Sequence, residues 1–295
     1  MSDLVGAIEI GGSHVSACRV DVTRACVEPP GVRRFDVDAR GSREGLLAAI
    51  SGAALEIRIP AMRCAGVATA GPFDYERGIA KFRGVAKLEA LYGMDLRERL
   101  SRDLGIEPPE LVRFLNDAQA FALGEWWTGA AKGHARAMGV TLGTGLGSGF
   151  LADGQIVVSG SDIPPEARLD LVPFRGAAVE DVISSRGIAA AFSAEVDVVE
   201  IARRARSGEP GTVDAFRGFG SALGEFLEPW IVRFAPTCLV FGGSITRAWD
   251  LFAEDFYRSC PEASRLPFCG PADRLDEAPL LGAALHSTRG QSDSS

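Results

Sequence analysis

Apolar and polar residues alternate along the chain in blocks that end on glycine. Leu4–Ile10 is a short β-favouring run that stops at Gly11-Gly12-Ser13, and a returning run, Val15–Val22, follows at once; the pattern predicts a hairpin pinched by glycines. Arg43–Arg58 places Leu46, Ile50, Ala53 and Ile57 at helical spacing, so one face packs on a sheet. Cys64–Thr69 reads as a strand broken by Ala70-Gly71-Pro72. Leu111–Leu115 reads as another, after which Asn116-Asp117 opens a helix to about Gly129. Ala137–Leu142, the turn Gly143–Gly147 and Ser148–Leu151 then repeat the opening strand–glycine turn–strand pattern, which suggests duplicated domains. Asp214–Phe234 predicts a long helix with Phe216, Phe219, Leu223, Phe226, Trp230 and Phe234 near one face. It leads into the strand Thr237–Phe241 and the turn Gly242-Gly243-Ser244. Alternating strands and helices make the class α/β, and the polar stretch from about His286 reads as a disordered tail.

Composition narrows the functional classes. The chain has 295 residues and a formal charge of −8, with no segment in which Lys and Arg gather, so nucleic acid is a poor partner. No apolar run reaches the ~18 residues of a membrane helix, and no signal peptide opens the chain. The six cysteines lie far apart without a C-x-x-C pair, which fits reduced thiols and a cytoplasmic location.

Three strand-terminating glycine turns are the first chemical signal. Such turns let backbone N–H groups approach phosphate oxygens, and the hydroxyls of Ser13 and Thr144 add donors. Each turn taken singly is also an ordinary hairpin turn. No G-x-x-x-x-G-K-[ST] motif occurs, and residues 143–149 do not satisfy G-x-G-x-x-G. Asp117 follows a strand at a helix start, where the helix dipole keeps a carboxylate ionised. That suits a base accepting a proton during phosphoryl transfer, and it equally suits a plain N-cap.

Taken in order, Ile8–Ser13, Thr69–Pro72, Leu115–Ala118, Thr141–Gly149, Glu180 with Ser184, Phe241–Ser244 and Leu281–Ala284 resemble the ROK family of sugar kinases and related repressors. The resemblance implies an actin-like, ribonuclease H-like ATPase fold with duplicated domains and an inter-domain cleft. Residues 1–116 would form a smaller N-terminal α/β domain completed by a helix around 278–288, residues 117–277 a larger C-terminal one, and 289–295 a disordered tail. It further implies ATP-dependent phosphorylation of a hydroxyl, a primary one, on a sugar or sugar-like polyol. Gly11, Gly12, Ser13, His14, Thr144, Gly145 and Gly147 would hold the ATP phosphates, with Gly242, Gly243 and Ser244 beside the adenosine. Gly71, Asn116, Asp117, Glu166, Glu180 and Lys87 would contact the substrate, with Asp117 as general base. Glu9 replaces the family's usual Asp and would serve Mg²⁺, directly or through water. A homodimer is the expected assembly.

The chain also departs from that family. Pro165–Leu169 stands for its Glu-x-Gly-His motif; Glu166 matches, but Leu169 takes the histidine position. The family's zinc-binding cysteines have no counterpart, so no structural zinc of that type is expected. Loss of the imidazole removes a polar partner on the anomeric side of the sugar, which points to an amino sugar or a carbocyclic sugar mimic of the C7-cyclitol type rather than plain glucose. A glucokinase, and a catalytically silent sugar-binding sensor, stand as alternatives.

Overall fold

The computed structural model describes residues 3–85, 87–190, 192 and 197–289. In chain order its strands and helices are β1 (Leu4–Ile10), β2 (His14–Asp21), β3 (Cys26–Val27), β4 (Arg33–Asp36), α1 (Arg43–Ile57), β5 (Ala65–Thr69), β6 (Phe73–Asp74), β7 (Ile79–Ala80), α2 (Leu96–Leu104), β8 (Val112–Asn116) and α3 (Asp117–Thr128). There follow β9 (Arg136–Leu142), β10 (Leu146–Ala152), β11 (Gln155–Ile156), β12 (Pro173–Phe174), β13 (Ala177–Ala178), α4 (Ser185–Ala189), α5 (Val198–Arg206), α6 (Pro210–Phe234), β14 (Cys238–Gly242), α7 (Trp249–Ser259), β15 (Phe268–Pro271) and α8 (Ala278–Thr288).

The chain divides into two compact units, residues 1–128 with 276–295, and residues 129–275. The first carries a sheet of order β3-β2-β1-β5-β8 with β4 also on β2; the second carries β11-β10-β9-β14-β15. The two sheets share one wiring. A hairpin opens each, β1 with β2 and β9 with β10; a parallel strand then joins the hairpin's first strand, β5 on β1 and β14 on β9, and a second parallel strand joins that one, β8 on β5 and β15 on β14. The repeated pattern of apolar runs and glycine turns is thus a repeated topology.

Helix α1 forms because Ser42 accepts from Gly45 N at its start, and it buries Leu46, Ile50, Ala53 and Ile57 on the sheet. The other face of the first sheet packs Val5, Ala7, Cys18 and Val20 on Leu280, Leu281 and Ala284 of α8. This contact depends on missing side chains. A Cβ on Gly66 would stand 1.8 Å from Ala283 O, and one on Gly282 would stand 1.9 Å from Ala120 O of α3. In the second unit Gly220 and Gly224 of α6 meet the backbone of α7 in the same way, at Phe252 O and Phe256 O.

Three expectations need correction. Helix α3 packs on α8 and belongs to the first unit, so the boundary falls after Thr128, not after Asn116. His286–Thr288 extend α8 instead of starting a tail, because the helix is held by its buried apolar face; residues 290–295 lie outside the described ones. The second glycine turn is shorter than expected, since Leu146 and Gly147 already pair with Leu142 and Thr141 in the hairpin ladder. Among the described residues no helix is long and apolar enough to cross a membrane.

Candidate active site

Strands β1, β5 and β8 are parallel neighbours whose last residues, Ile10, Thr69 and Asn116, share one row. Gly11, Ala70-Gly71 and Asp117 therefore leave the sheet side by side at its carboxyl edge, where open α/β sheets bind ligands. A chain of hydrogen bonds ties this edge together. Thr69 Oγ1 donates to Ile10 O (3.3 Å), Tyr75 Oη donates to Thr69 O (3.1 Å), and Asn116 Nδ2 donates to Tyr75 Oη (3.3 Å). A Cβ on Gly71 would sit 3.5 Å from that same Tyr75 hydroxyl.

The N-cap of α3 is the residue before Asp117. Asn116 Oδ1 accepts from Ala118 N (3.0 Å) and Gln119 N (3.2 Å), so Asn116 caps α3. Asp117 is the first helical residue, partly exposed, with Oδ1 2.9 Å from Ala118 N. Its charge lies where the helix dipole favours a carboxylate.

Glu9 stands one row back on β1, opposite Ser16. Its carboxyl is pushed up to about 7, chiefly by burial and then by the negative charge of Asp117; Arg34 opposes the rise and Asp276 adds to it. Arg34, which faces Ser16 from β4, is a residue that sequence reasoning missed: one arginine of a pair on a short edge strand carries no pattern. Its guanidinium donates to His14 Nδ1 (3.0 Å), which also lies 3.0 Å from Ser13 Oγ. Arginine only donates, so Nδ1 is the acceptor and His14 is neutral with its proton on Nε2. Burial and then the Arg34 charge lower the imidazole accordingly. The turn closes with Gly11 N donating to His14 O (2.9 Å). Lys87, expected against the sugar, lies against this turn; its Cδ would be 3.1 Å from a Cβ on Gly12.

Glu9 and Asp117 suit a hard divalent cation. Both donors are oxygen, and the repulsion between their charges is what such a cation relieves. Among the described residues no group of three or more His, Cys, Asp or Glu forms a full metal cage. A magnesium ion here would share its ligands with phosphate and water.

In the second unit β9 and β14 are parallel and end together, with Gly242 level with Thr141. Gly243 has a φ of +83°, and a Cβ there would meet Leu142 O at 2.3 Å. Only glycine fits. Gly143 approaches Ser244, whose Oγ would lie 3.6 Å from an added Cβ, and Thr246 Oγ1 donates to Gly242 O (2.6 Å). Thr144 is exposed at the tip of the other turn. Glu180, expected at the substrate, accepts from Leu146 N at 2.9 Å. Ser185, also missed, donates through N and Oγ to Gly143 O (2.8 and 2.9 Å). Glu166 is exposed, has a φ of +57° and lies 4.0 Å from Arg168. Leu169 is fully buried in the core, and its N–H donates to Ser148 Oγ. The side chain expected at the family's histidine position is thereby committed to packing.

Paired units of this wiring, with glycine turns at the carboxyl edges of both sheets, define an actin-like ATPase fold. Within that class the chain belongs to the ROK family, which it matches over residues 5–288. A glucokinase of Thermotoga maritima is 25% identical over 252 residues, 74% of this chain and 77% of that protein. An N-acetyl-D-glucosamine kinase of Pectobacterium atrosepticum is 28% identical over 222 residues, 65% and 69% of the two chains. Among solved structures, a ROK family glucokinase from Streptomyces griseus in complex with glucose and AMPPNP superposes with a TM-score of 0.75. Identity there is 23%, over 97% of this chain and all of the other.

Proposed function

We propose that the protein is an ATP-dependent kinase that phosphorylates a hydroxyl of a sugar or sugar-like polyol. The observation that carries this reading is Asp117: a partly exposed carboxylate at the carboxyl edge of three parallel strands, first residue of the helix that Asn116 caps, whose charge reaches the protonatable Glu9. The kinase names of the relatives support it.

In this reading the turns Gly11–Ser13 and Thr144–Gly145 grip the nucleotide phosphates through backbone amides, and Gly242–Ser244 flank the adenosine. Asn116 and Gly71 orient the acceptor, with Asn116 held in turn by Tyr75. Asp117 takes the proton of the attacking hydroxyl. The new bond joins that oxygen to the γ-phosphorus, the bond to the β-phosphate oxygen breaks in line, and ADP leaves. Magnesium, when bound, neutralises charge on the phosphates. Glu9 orients it or its waters, and Lys87, lying along Gly12, adds positive charge on the phosphate side.

The finer reading concerns the acceptor. With Leu169 turned into the core, the anomeric side lacks the family's imidazole. An amino sugar or cyclitol is the substrate class that follows, in preference to plain glucose.

A coupled ADP-release screen over sugars, amino sugars and cyclitols tests both levels, with Asp117→Asn as control. Loss of a positioned base lowers kcat by ~10²–10⁴-fold. Equal turnover by wild type and Asp117→Asn on the best substrate would overturn the mechanism. Glucose outperforming every amino sugar and cyclitol would remove the finer reading alone.

A further inference from the structure

The segment 180–185 of the second unit grips the glycine turn on both sides of its tip. Glu180 Oε1 accepts from Leu146 N at 2.9 Å, and a Cβ on Gly145 would stand only 2.3 Å from that oxygen. On the other side Ser185 N and Oγ donate to Gly143 O. Buried Ser184 makes the grip rigid: its Oγ donates to Glu180 O (2.5 Å) and accepts from Gly187 N (3.1 Å) at the start of α4. Between the two anchors lie Thr144 and Gly145. Among the described residues no hydrogen bond engages Thr144 N or Gly145 N.

We propose that Glu180 is a positioning residue for the nucleotide turn, beyond any contact it makes with the polyol. A carboxylate accepting an amide N–H makes a charge-assisted bond, stronger than a neutral one. Fixing Leu146 N and Gly143 O at either end holds the tip in one conformation, with its two amides ready for phosphate oxygens. The cost of ordering the turn is then met during folding instead of during binding. A side chain at Gly145 would displace this carboxylate.

The inference rests on the kinase reading for its ligand, so the test starts with nucleotide alone. Binding of magnesium AMPPNP to the full chain is measured by calorimetry without polyol, for wild type, Glu180→Ala, Glu180→Gln and Gly145→Ala. Glu180→Ala should weaken binding by about tenfold, the equivalent of ~1.4 kcal/mol. Glu180→Gln retains an acceptor oxygen and should stay within about threefold of wild type. Gly145→Ala, which collides with the carboxylate, should resemble Glu180→Ala and carries the test if that variant does not fold. Steady-state kinetics should show KM for ATP rising more than KM for the polyol. Glu180→Ala binding AMPPNP as tightly as wild type, with only the polyol KM raised, overturns the proposal and leaves the kinase reading standing. A wild-type chain that binds no nucleotide would instead sink the kinase reading itself, and the ligand named here with it.

Discussion

Glu9→Gln offers the sharpest physical test of the first unit. The glutamate is held at about 7 against an ordinary value near 4.5, so between those limits the native state binds a proton that the unfolded chain releases. Stability from this group is therefore complete below about pH 4.5 and is lost as pH rises through about 7. At 1.36 kcal/mol per pKa unit the full effect is roughly 3 kcal/mol. Glu9 keeps some contact with solvent, which reduces this to about 2 kcal/mol. Glutamine preserves the shape and abolishes the charge, so the variant should be more stable than wild type at pH 8 by about that amount. For a unit of this size the gain corresponds to a Tm increase of roughly 4–8 °C. Thermal unfolding of the nucleotide-free chain at pH 8 and pH 5 measures it, and most of the difference should vanish at the lower pH. A Tm difference that is the same at both pH values, or a variant less stable at pH 8, would refute the assignment of an uncompensated carboxylate at this position. The same variant should lose turnover, since it gives up the carboxylate charge proposed to attract magnesium; stability and activity would then move in opposite directions.

Two further outcomes follow from geometry. Gly282→Ala places a methyl 1.9 Å from Ala120 O, and forcing α3 and α8 apart should destabilise the fold by about 3 kcal/mol or more, read as a lower midpoint in urea unfolding. Tyr75→Phe removes the hydroxyl that joins Asn116 Nδ2 to Thr69 O; stability should fall by about 1 kcal/mol and KM for the acceptor should rise several-fold with nucleotide affinity unchanged, a split visible in steady-state kinetics.

Local signals in the sequence were read well where one residue type decides the backbone. The strand Leu4–Ile10 ends where glycines end it, and Asn116-Asp117 marks the strand–helix junction. Errors arose where tertiary contacts decide. Counting glycines stretched the second turn to Gly147, although the hairpin ladder absorbs that residue. Polar composition suggested a tail from His286, whereas the buried Leu280, Leu281 and Ala284 carry the helix through Thr288. Asp117 opens α3, which made a boundary at Asn116 plausible, yet the interlocking of Gly124 and Gly282 keeps that helix in the first unit. Lys87 against Gly12, and Glu180 against Leu146, join positions far apart in the chain; no local pattern reports such pairings.

Because α8 follows the second unit in the chain and α3 precedes it, the first unit is stitched from two stretches of the polypeptide that the second unit separates. During synthesis Val5, Ala7, Cys18 and Val20 must wait, uncovered, while more than a hundred intervening residues emerge. The later unit, contiguous from Gly129 to Leu275, can finish folding before the earlier one does. A nascent chain stalled before residue 278 should accordingly bind chaperones through that waiting sheet face, and release them once α8 has emerged.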